Sequence, residues 1–200
     1  MRSESKKLEC IILAAGFSSR LGREKSLIGV GNQSLIGWVS KRISDRGVEP
    51  IVITRPDIIG EVTQSTEKCR VLSNPYPEKG RTGTIKIGIS ELDRSDSEGY
   101  RLMIVPVDRP GFSNSTLDLM MSSEKSCCPS KNGRGGHPLL LTEADIKRVR
   151  EAPSDAPLSS IVSPTKIEVK DPFLHLNLDT PEDLIELSEF LSFFEGNIEN

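Results

Sequence analysis

Apolar positions along the chain fall into short continuous runs separated by stretches with helical spacing. Residues 10–13, rich in Ile and Leu, read as a buried strand. Residues 50–54 make a second strand, ended by Arg55-Pro56, and 69–73 a third. The strongest is 102–107, with Met103-Ile104-Val105 at its heart, followed by 138–141 and an edge strand over 165–169. Between them, Leu35, Trp38, Val39, Arg42 and Ile43 predict a helix over 33–46, with Ser34 as N-cap and Gly47 as its stop. Residues 57–66 are weakly helical, 80–92 form a helix with a Gly-rich start, and 114–121 and 143–150 form two more. The last helix spans 181–194, with Thr180 as N-cap, Pro181 at the first position and Asp183 at the third.

This alternation predicts an α/β fold with a mostly parallel sheet and helices on both faces. In such sheets ligands gather outside the carboxyl ends of strands. The loops after residues 13 and 107 both fall there. A chain of 200 residues, with no repeat and no long linker, reads as one domain over 1–200. A polar surface turn is expected over 93–99 and a mobile loop over 122–134.

Composition narrows the picture. Aromatics are 4% of residues, so the core must be aliphatic. A net charge of -3 without a long basic run argues against nucleic acid as a partner, and Lys6 and Lys7 do not change that. No apolar run reaches membrane-spanning length, and residues 1–7 lack a signal-peptide core, so the expectation is a cytoplasmic protein with no membrane partner, acting as a monomer. Cys10, Cys69, Cys127 and Cys128 contain no C-x-x-C, and adjacent cysteines chelate a tetrahedral ion poorly, so their role reads as structural.

The densest chemistry is Leu13-Ala14-Ala15-Gly16-Phe17-Ser18-Ser19-Arg20-Leu21-Gly22-Arg23-Glu24-Lys25. Glycines let backbone N–H groups approach a ligand, and Arg20 and Lys25 add positive charge, which together suit phosphate oxygens. The pattern is neither a P-loop nor a dinucleotide fingerprint. Val107-Asp108-Arg109-Pro110 ends the strongest strand, where a carboxylate can hold a hard divalent cation or serve as a turn residue. Asn177 and Asp179 alternate along an extended segment and can point at one site. Asp-Thr-Pro-Glu-Asp is equally good helix-start chemistry. His175 reads as a packed residue in a strand, and His137 as either a structural hydrogen-bonder or a substrate contact.

L-A-A-G-x-S-x-R-x-G-x-x-K resembles the signature loop of nucleotidyltransferases related to molybdenum cofactor cytidylyl- and guanylyltransferases. The resemblance implies a Rossmann-like three-layer α/β/α sandwich of the glycosyltransferase-A type. It implies nucleotide contacts for Leu13, Ala14, Ala15, Gly16, Ser18, Arg20 and Lys25, with Lys25, Arg20 and Asp108 in catalysis. Asp108 lies in a motif similar to the family's Asp-x-Pro, which implies magnesium bound there; Asp179 is the better candidate for a second metal contact, ahead of Asn177. Arg109 departs from the Met or Gln usual between Asp and Pro. The stretch from Asn74 resembles the family's base- and ribose-binding segment, implying contacts from Asn74, Gly80 and Thr84. Gly133-Arg134-Gly135-Gly136-His137-Pro138 resembles the acceptor-side stretch, implying a role for His137. Asp155 survives from a Gly-Asp-x-Gly whose glycines are absent here.

The reaction so implied is transfer of NMP from an NTP to a phosphate monoester. L-A-A-G, rather than L-A-G-G, favours CTP over GTP, and the implied acceptor is molybdopterin. A sugar phosphate or phospholactate acceptor, or a non-catalytic nucleotide- or cofactor-binding protein, are the alternatives.

Overall fold

The computed structural model describes residues 6–95 and 99–196. In chain order the strands are β1 (Leu8–Ala14), β2 (Gly29–Val30), β3 (Gln33–Ser34), β4 (Ile51–Thr54), β5 (Arg70–Ser73), β6 (Arg101–Pro106), β7 (Cys127–Lys131), β8 (Arg134–Gly135), β9 (Leu139–Leu141) and β10 (Thr165–Glu168). The helices are α1 (Leu35–Ser44), α2 (Ile59–Gln64), α3 (Gly80–Ser95), α4 (Asn114–Ser122), α5 (Glu143–Glu151), α6 (Leu158–Ile161) and α7 (Asp183–Gly196). None of these helices is long and apolar enough to cross a membrane.

The main sheet has the order β10-β7-β9-β6-β1-β4-β5, with β8 paired to β7. β1 runs parallel to β4 and β6, and β10 runs parallel to β7. β9 is antiparallel to both of its neighbours, so the sheet is mixed but mostly parallel. In the β1–β6 register Leu13 lies opposite Pro106, and one more bond, Val107 N–H to Leu13 O at 3.0 Å, extends the ladder. The loops that follow these two strands therefore leave the same sheet edge together.

Strand pleating sends alternate residues of β1 to opposite faces. Cys10, Ile12 and Ala14 join a core completed by α1, α2, α4 and α7, while Ile11 and Leu13 join one completed by α3, α5 and α6. Ser34 caps α1 as its sequence predicts, accepting from Gly37 N–H at 3.2 Å. Arg42 is buried on α1, with Trp38, Phe112 and Phe194 each 4.5 Å from its guanidinium carbon. Burial lowers its pKa to about 9, so it stays largely protonated at neutral pH.

Four expectations need correction. The 122–134 segment is not a mobile loop: it holds β7 and β8, and Cys127, Cys128, Pro129 and Ser130 are buried. Its strand character comes from pairing with β10 and β9, which Cys-Cys-Pro-Ser-Lys does not advertise. His175 lies in a turn, where its Nε2 meets Arg134 O at 3.1 Å. α3 continues to Ser95, past the start of the expected 93–99 turn; residues 96–98 of that turn, and 1–5 of the N-terminal segment, lie outside the described residues. The last helix begins at Asp183, two residues later than its sequence suggests.

α3 packs unusually close to the sheet. A Cβ on Gly88 would sit 2.4 Å from Ile11 Cδ1 and 2.8 Å from its Cγ1, and Ile11 is fully buried with no room to yield. Gly-to-Ala in a helix normally stabilises by up to about 1 kcal/mol. Here overpacking, at about 1–3 kcal/mol, should win. Gly88→Ala is expected to cost a net of up to about 2 kcal/mol of stability, read as a lower denaturant midpoint at unchanged slope; a variant as stable as wild type would show that α3 can retreat freely.

Candidate functional site

Three segments meet at the carboxyl ends of β1 and β6 around a cleft. Leu13 and Ala14 line it from the end of β1, and Ala15, Gly16, Ser18 and Lys25 from the loop that follows. Pro106, Val107 and Asp108 line it from β6, and Pro77, Gly80, Arg81 and Thr84 from the start of α3. A Cβ built on Gly16 meets nothing within 4 Å, so what the glycine leaves bare is open space. Backbone can approach a ligand closely there.

Lys25 opens a short turn of 3-10 helix, Lys25–Leu27, and its N–H donates to Ser18 Oγ at 3.2 Å. Ser18 holds a left-handed φ of 52°, a conformation a serine keeps only when its surroundings require it. The Lys25 ammonium lies 2.6 Å from Asp179 Oδ1 and 3.7 Å from Asp108 Oδ2. Asp179 reaches this point because Leu178 N–H donates to Asp108 O at 3.0 Å, tying the extended segment to the end of β6. Asn177 Nδ2 donates to Asp179 Oδ2 at 3.1 Å, so both side chains lie on one side. The Lys25 hydrogen bond, supported by Asn177 and Arg20, holds the Asp179 carboxyl below the usual carboxylate range.

The two readings of Asp-Thr-Pro-Glu-Asp divide between two carboxylates. Asp183 Oδ2 accepts from Asp179 N–H at 2.7 Å and Thr180 N–H at 2.6 Å, as helix-start chemistry requires. Asp179 is left to face the cleft. Asp108 and Asp179 thus converge on one positive charge, the arrangement a divalent cation needs. No group of three or more metal-ligating His, Cys, Asp or Glu occurs among the described residues. Two carboxylates suit an ion that completes its shell with water and phosphate oxygens.

Other expected residues stand apart from the cleft wall. Arg20 is largely exposed and donates to Asp179 Oδ2 at 3.0 Å instead of lining the cleft. Asn74 is buried behind it, donating to Thr84 Oγ1 at 3.0 Å and accepting from Tyr76 N–H at 2.8 Å. Asp155 is exposed on the 153–157 segment, which Thr82 Oγ1 ties to the start of α3 through Ala156 O at 2.7 Å. His137 is largely enclosed, and its Nδ1 is buried without a hydrogen-bond partner among the described residues. Burial, with Arg81 and Arg109 adding to it, pushes its pKa down to about 3. All four cysteines are free, and burial raises each thiol.

The sequence pattern gave no sign of Arg55, which follows β4. Its Nε–H donates to Asp57 Oδ1 at 3.0 Å, and its NH2 to Asp57 Oδ2 at 2.9 Å and Glu24 Oε1 at 2.7 Å. NH1 reaches Glu24 Oε2 at 3.2 Å and the Gly16 carbonyl. All five donors of the fork are used. Arg55 therefore grips both ends of the loop from behind, and only its Arg-Pro position, ending a strand, could have marked it.

Two outcomes follow from this geometry. Arg55→Met should loosen the loop: losing charge-assisted bonds worth about 1.5–3 kcal/mol speeds amide exchange at residues 16–18 roughly ten- to a hundredfold. Unchanged exchange would show that the loop holds its shape alone. Lys25→Met should raise the Asp179 pKa toward about 3.9 in a carbon NMR titration. Because the folded pKa is depressed, the stabilisation it represents is present above the unfolded value. It is lost as pH falls through the folded one, so the variant should lose less stability in that acid range. An Asp179 titration identical in both proteins would refute the ion pair.

A model of the MobA-like NTP transferase domain matches residues 10–170. A probable molybdenum cofactor guanylyltransferase of Bacillus mycoides (strain KBAB4) is 31% identical over 145 residues, 70% of this chain and 69% of that protein. The molybdenum cofactor cytidylyltransferase of Escherichia coli (strain K12) is 21% identical over 192 residues, 91% and 96% of the two chains. Among solved structures, a Mycobacterium tuberculosis H37Rv protein superposes with a TM-score of 0.78 at 18% identity, covering 94% of this chain and all of that one. A manganese complex from the same organism superposes with a TM-score of 0.72 at 15% identity, over 92% and 98% of the chains. The chain belongs to the MobA-like NTP transferase family, and its chemistry is nucleotidyl transfer.

Proposed function

We propose that residues 1–200 form one nucleotidyltransferase domain that transfers NMP, with CMP favoured, from an NTP to a phosphate-bearing acceptor of the molybdopterin type. The observation that carries this reading is the Lys25 ammonium between Asp108 and Asp179, at a cleft walled by the loop after β1. The Bacillus and Escherichia relatives are named for molybdenum cofactor as acceptor, one for guanylyl and one for cytidylyl transfer. The L-A-A-G sequence tips the choice toward CTP.

Backbone groups at Gly16 and Ser18 and the Lys25 ammonium bind the triphosphate, while Gly80 and Thr84 meet the nucleoside. Asn74 fixes Thr84 from behind. An acceptor phosphate oxygen forms a bond to the α-phosphorus as the bond to pyrophosphate breaks, and pyrophosphate departs with that electron pair. Lys25 stabilises the charge that gathers on the leaving group, with Arg20 assisting from the loop's outer side. Asp108 and Asp179 would hold a divalent cation, magnesium in this proposal, which supplies further neutralisation of phosphate charge. The manganese complex of the Mycobacterium structure supports such a requirement.

Calorimetry with CTP and GTP, with and without magnesium, tests the binding half of the proposal. Pyrophosphate release with molybdopterin tests the chemistry. Asp108→Asn keeps the side chain's size and removes its charge, so it should fold normally and lose most turnover. A variant that keeps the wild-type rate at limiting magnesium would remove Asp108 from the site. Tight NTP binding without pyrophosphate release from any acceptor would favour a binding protein instead.

A further inference from the structure

The wall beyond Asp108 is basic. Arg109 follows Asp108 directly, its backbone N–H turning back to Pro106 O at 3.1 Å, and its Nε is buried without a hydrogen-bond partner. Arg81 lines the cleft from the first turn of α3, and Arg134 projects from β8. His137, just before β9, presents a second buried and unpartnered nitrogen, Nδ1. These groups lie close enough to influence one another: Asp108, then Arg81 and Arg134, and last Asp179 act on Arg109, and Arg81 and Arg109 both act on His137.

Among the described residues, no side-chain hydrogen bond or ion pair engages Arg81, Arg109 or Arg134. Arg42, Arg46, Arg55, Arg101 and Arg150, by contrast, all donate to oxygens. Three guanidinium groups gather here, with one nitrogen of Arg109 and one of His137 buried and unsatisfied, and only the nearby Asp108 and Asp179 charges offset the cost at Arg109. A ligand with several anionic oxygens would satisfy all of them. His137 stays neutral at ordinary pH, so it adds a hydrogen-bonding nitrogen without adding repulsion.

We propose that Arg81, Arg109, Arg134 and His137 form the seat for the acceptor's phosphate monoester, a dianionic organic phosphate held next to the nucleotide. This inference rests on the nucleotidyltransferase reading above. It assigns the cluster to the acceptor and not to the triphosphate, because Arg109, Arg134 and His137 stand outside the nucleotide cleft and only Arg81 touches it. The chemistry calls for such a seat. Two polyanions must approach within bonding distance, and their repulsion grows as water is excluded. Arginine is always charged and binds phosphate through two parallel N–H donors. Arg109 stands directly after Asp108, where the two anions must meet. It occupies the place where the resembling family carries Met or Gln, so the seat belongs to this chain's own sequence.

The experiment uses the full chain in two steps. Calorimetry first identifies which of CTP and GTP binds in the presence of magnesium. The protein is then saturated with the corresponding analogue, bridged by methylene between the α and β phosphates, and titrated with phenyl phosphate, with phenol as the uncharged control, both followed by the proton NMR signals of the phenyl ring. Phenyl phosphate should bind and phenol should not. Arg109→Gln should weaken phenyl phosphate about tenfold while nucleotide affinity stays within twofold. Arg134→Gln, on an exposed strand where folding is not at risk, should weaken it in the same sense. Failure of phenyl phosphate to bind the nucleotide-loaded wild type overturns the seat. Equal weakening of nucleotide and phenyl phosphate in Arg109→Gln also overturns it, assigning the cluster to the triphosphate and leaving the nucleotidyltransferase reading intact. If neither nucleotide binds in the first step, that reading falls and the inference falls with it.

Discussion

Everything at the site depends on the parallel pairing of β1 with β6. The register that sets Leu13 opposite Pro106 delivers a glycine loop and a carboxylate-bearing turn to one sheet edge. Parallel strands end at the same edge by construction, and this is why ligands in such sheets gather there. A third segment joins through a single backbone bond, Leu178 N–H to Asp108 O. That bond brings Asp179 from the far end of the chain to the same ammonium that Asp108 faces. The close approach of α3 at Gly88 completes the cleft by placing the start of that helix over the sheet edge.

Charge is sorted around this junction. On one side an acidic pair shares Lys25; on the other, among the described residues, no side-chain hydrogen bond or ion pair engages Arg81, Arg109, Arg134 or the neutral His137. Behind the loop a different arginine, Arg55, is saturated by Glu24, Asp57 and the Gly16 carbonyl. The contrast is physical. A saturated, buried arginine shapes backbone, whereas unsatisfied cations around an open cleft await anions. The acidic pair and the basic wall suit a cation and phosphate oxygens brought together at one point.

The C-terminal third shows how one stretch of sequence can serve two purposes. Asp183 ties the backbone N–H groups of Asp179 and Thr180, orienting the turn into α7. The turn in turn fixes where Asp179 projects. Gly111 allows the same region to pack tightly, since a Cβ there would fall 1.9 Å from the Phe173 carbonyl oxygen. Local helix chemistry and site geometry are here the same constraint seen from two ends.

Periodicity alone determined most of the architecture. Apolar runs marked β1, β4, β5, β6 and β9, and helical spacing with a Ser34 cap marked α1, because burial on both faces of a sheet leaves continuous apolar strands. The phosphate-loop pattern pointed to Gly16, Ser18 and Lys25 because it is contiguous, and a loop of small residues and cations after a strand has few other uses. Only the tertiary structure could decide the rest. β7, with its Cys-Cys-Pro-Ser-Lys sequence, is a strand because its neighbours pair with it, and no local preference reveals that. Arg55 matters through Glu24 and the Gly16 carbonyl, and Arg109 through the charges of Arg81 and Arg134, groups that come together from distant parts of the chain. Sequence carries what neighbouring residues settle among themselves; pairings across the sheet and between distant charges exist only once the chain has closed on itself.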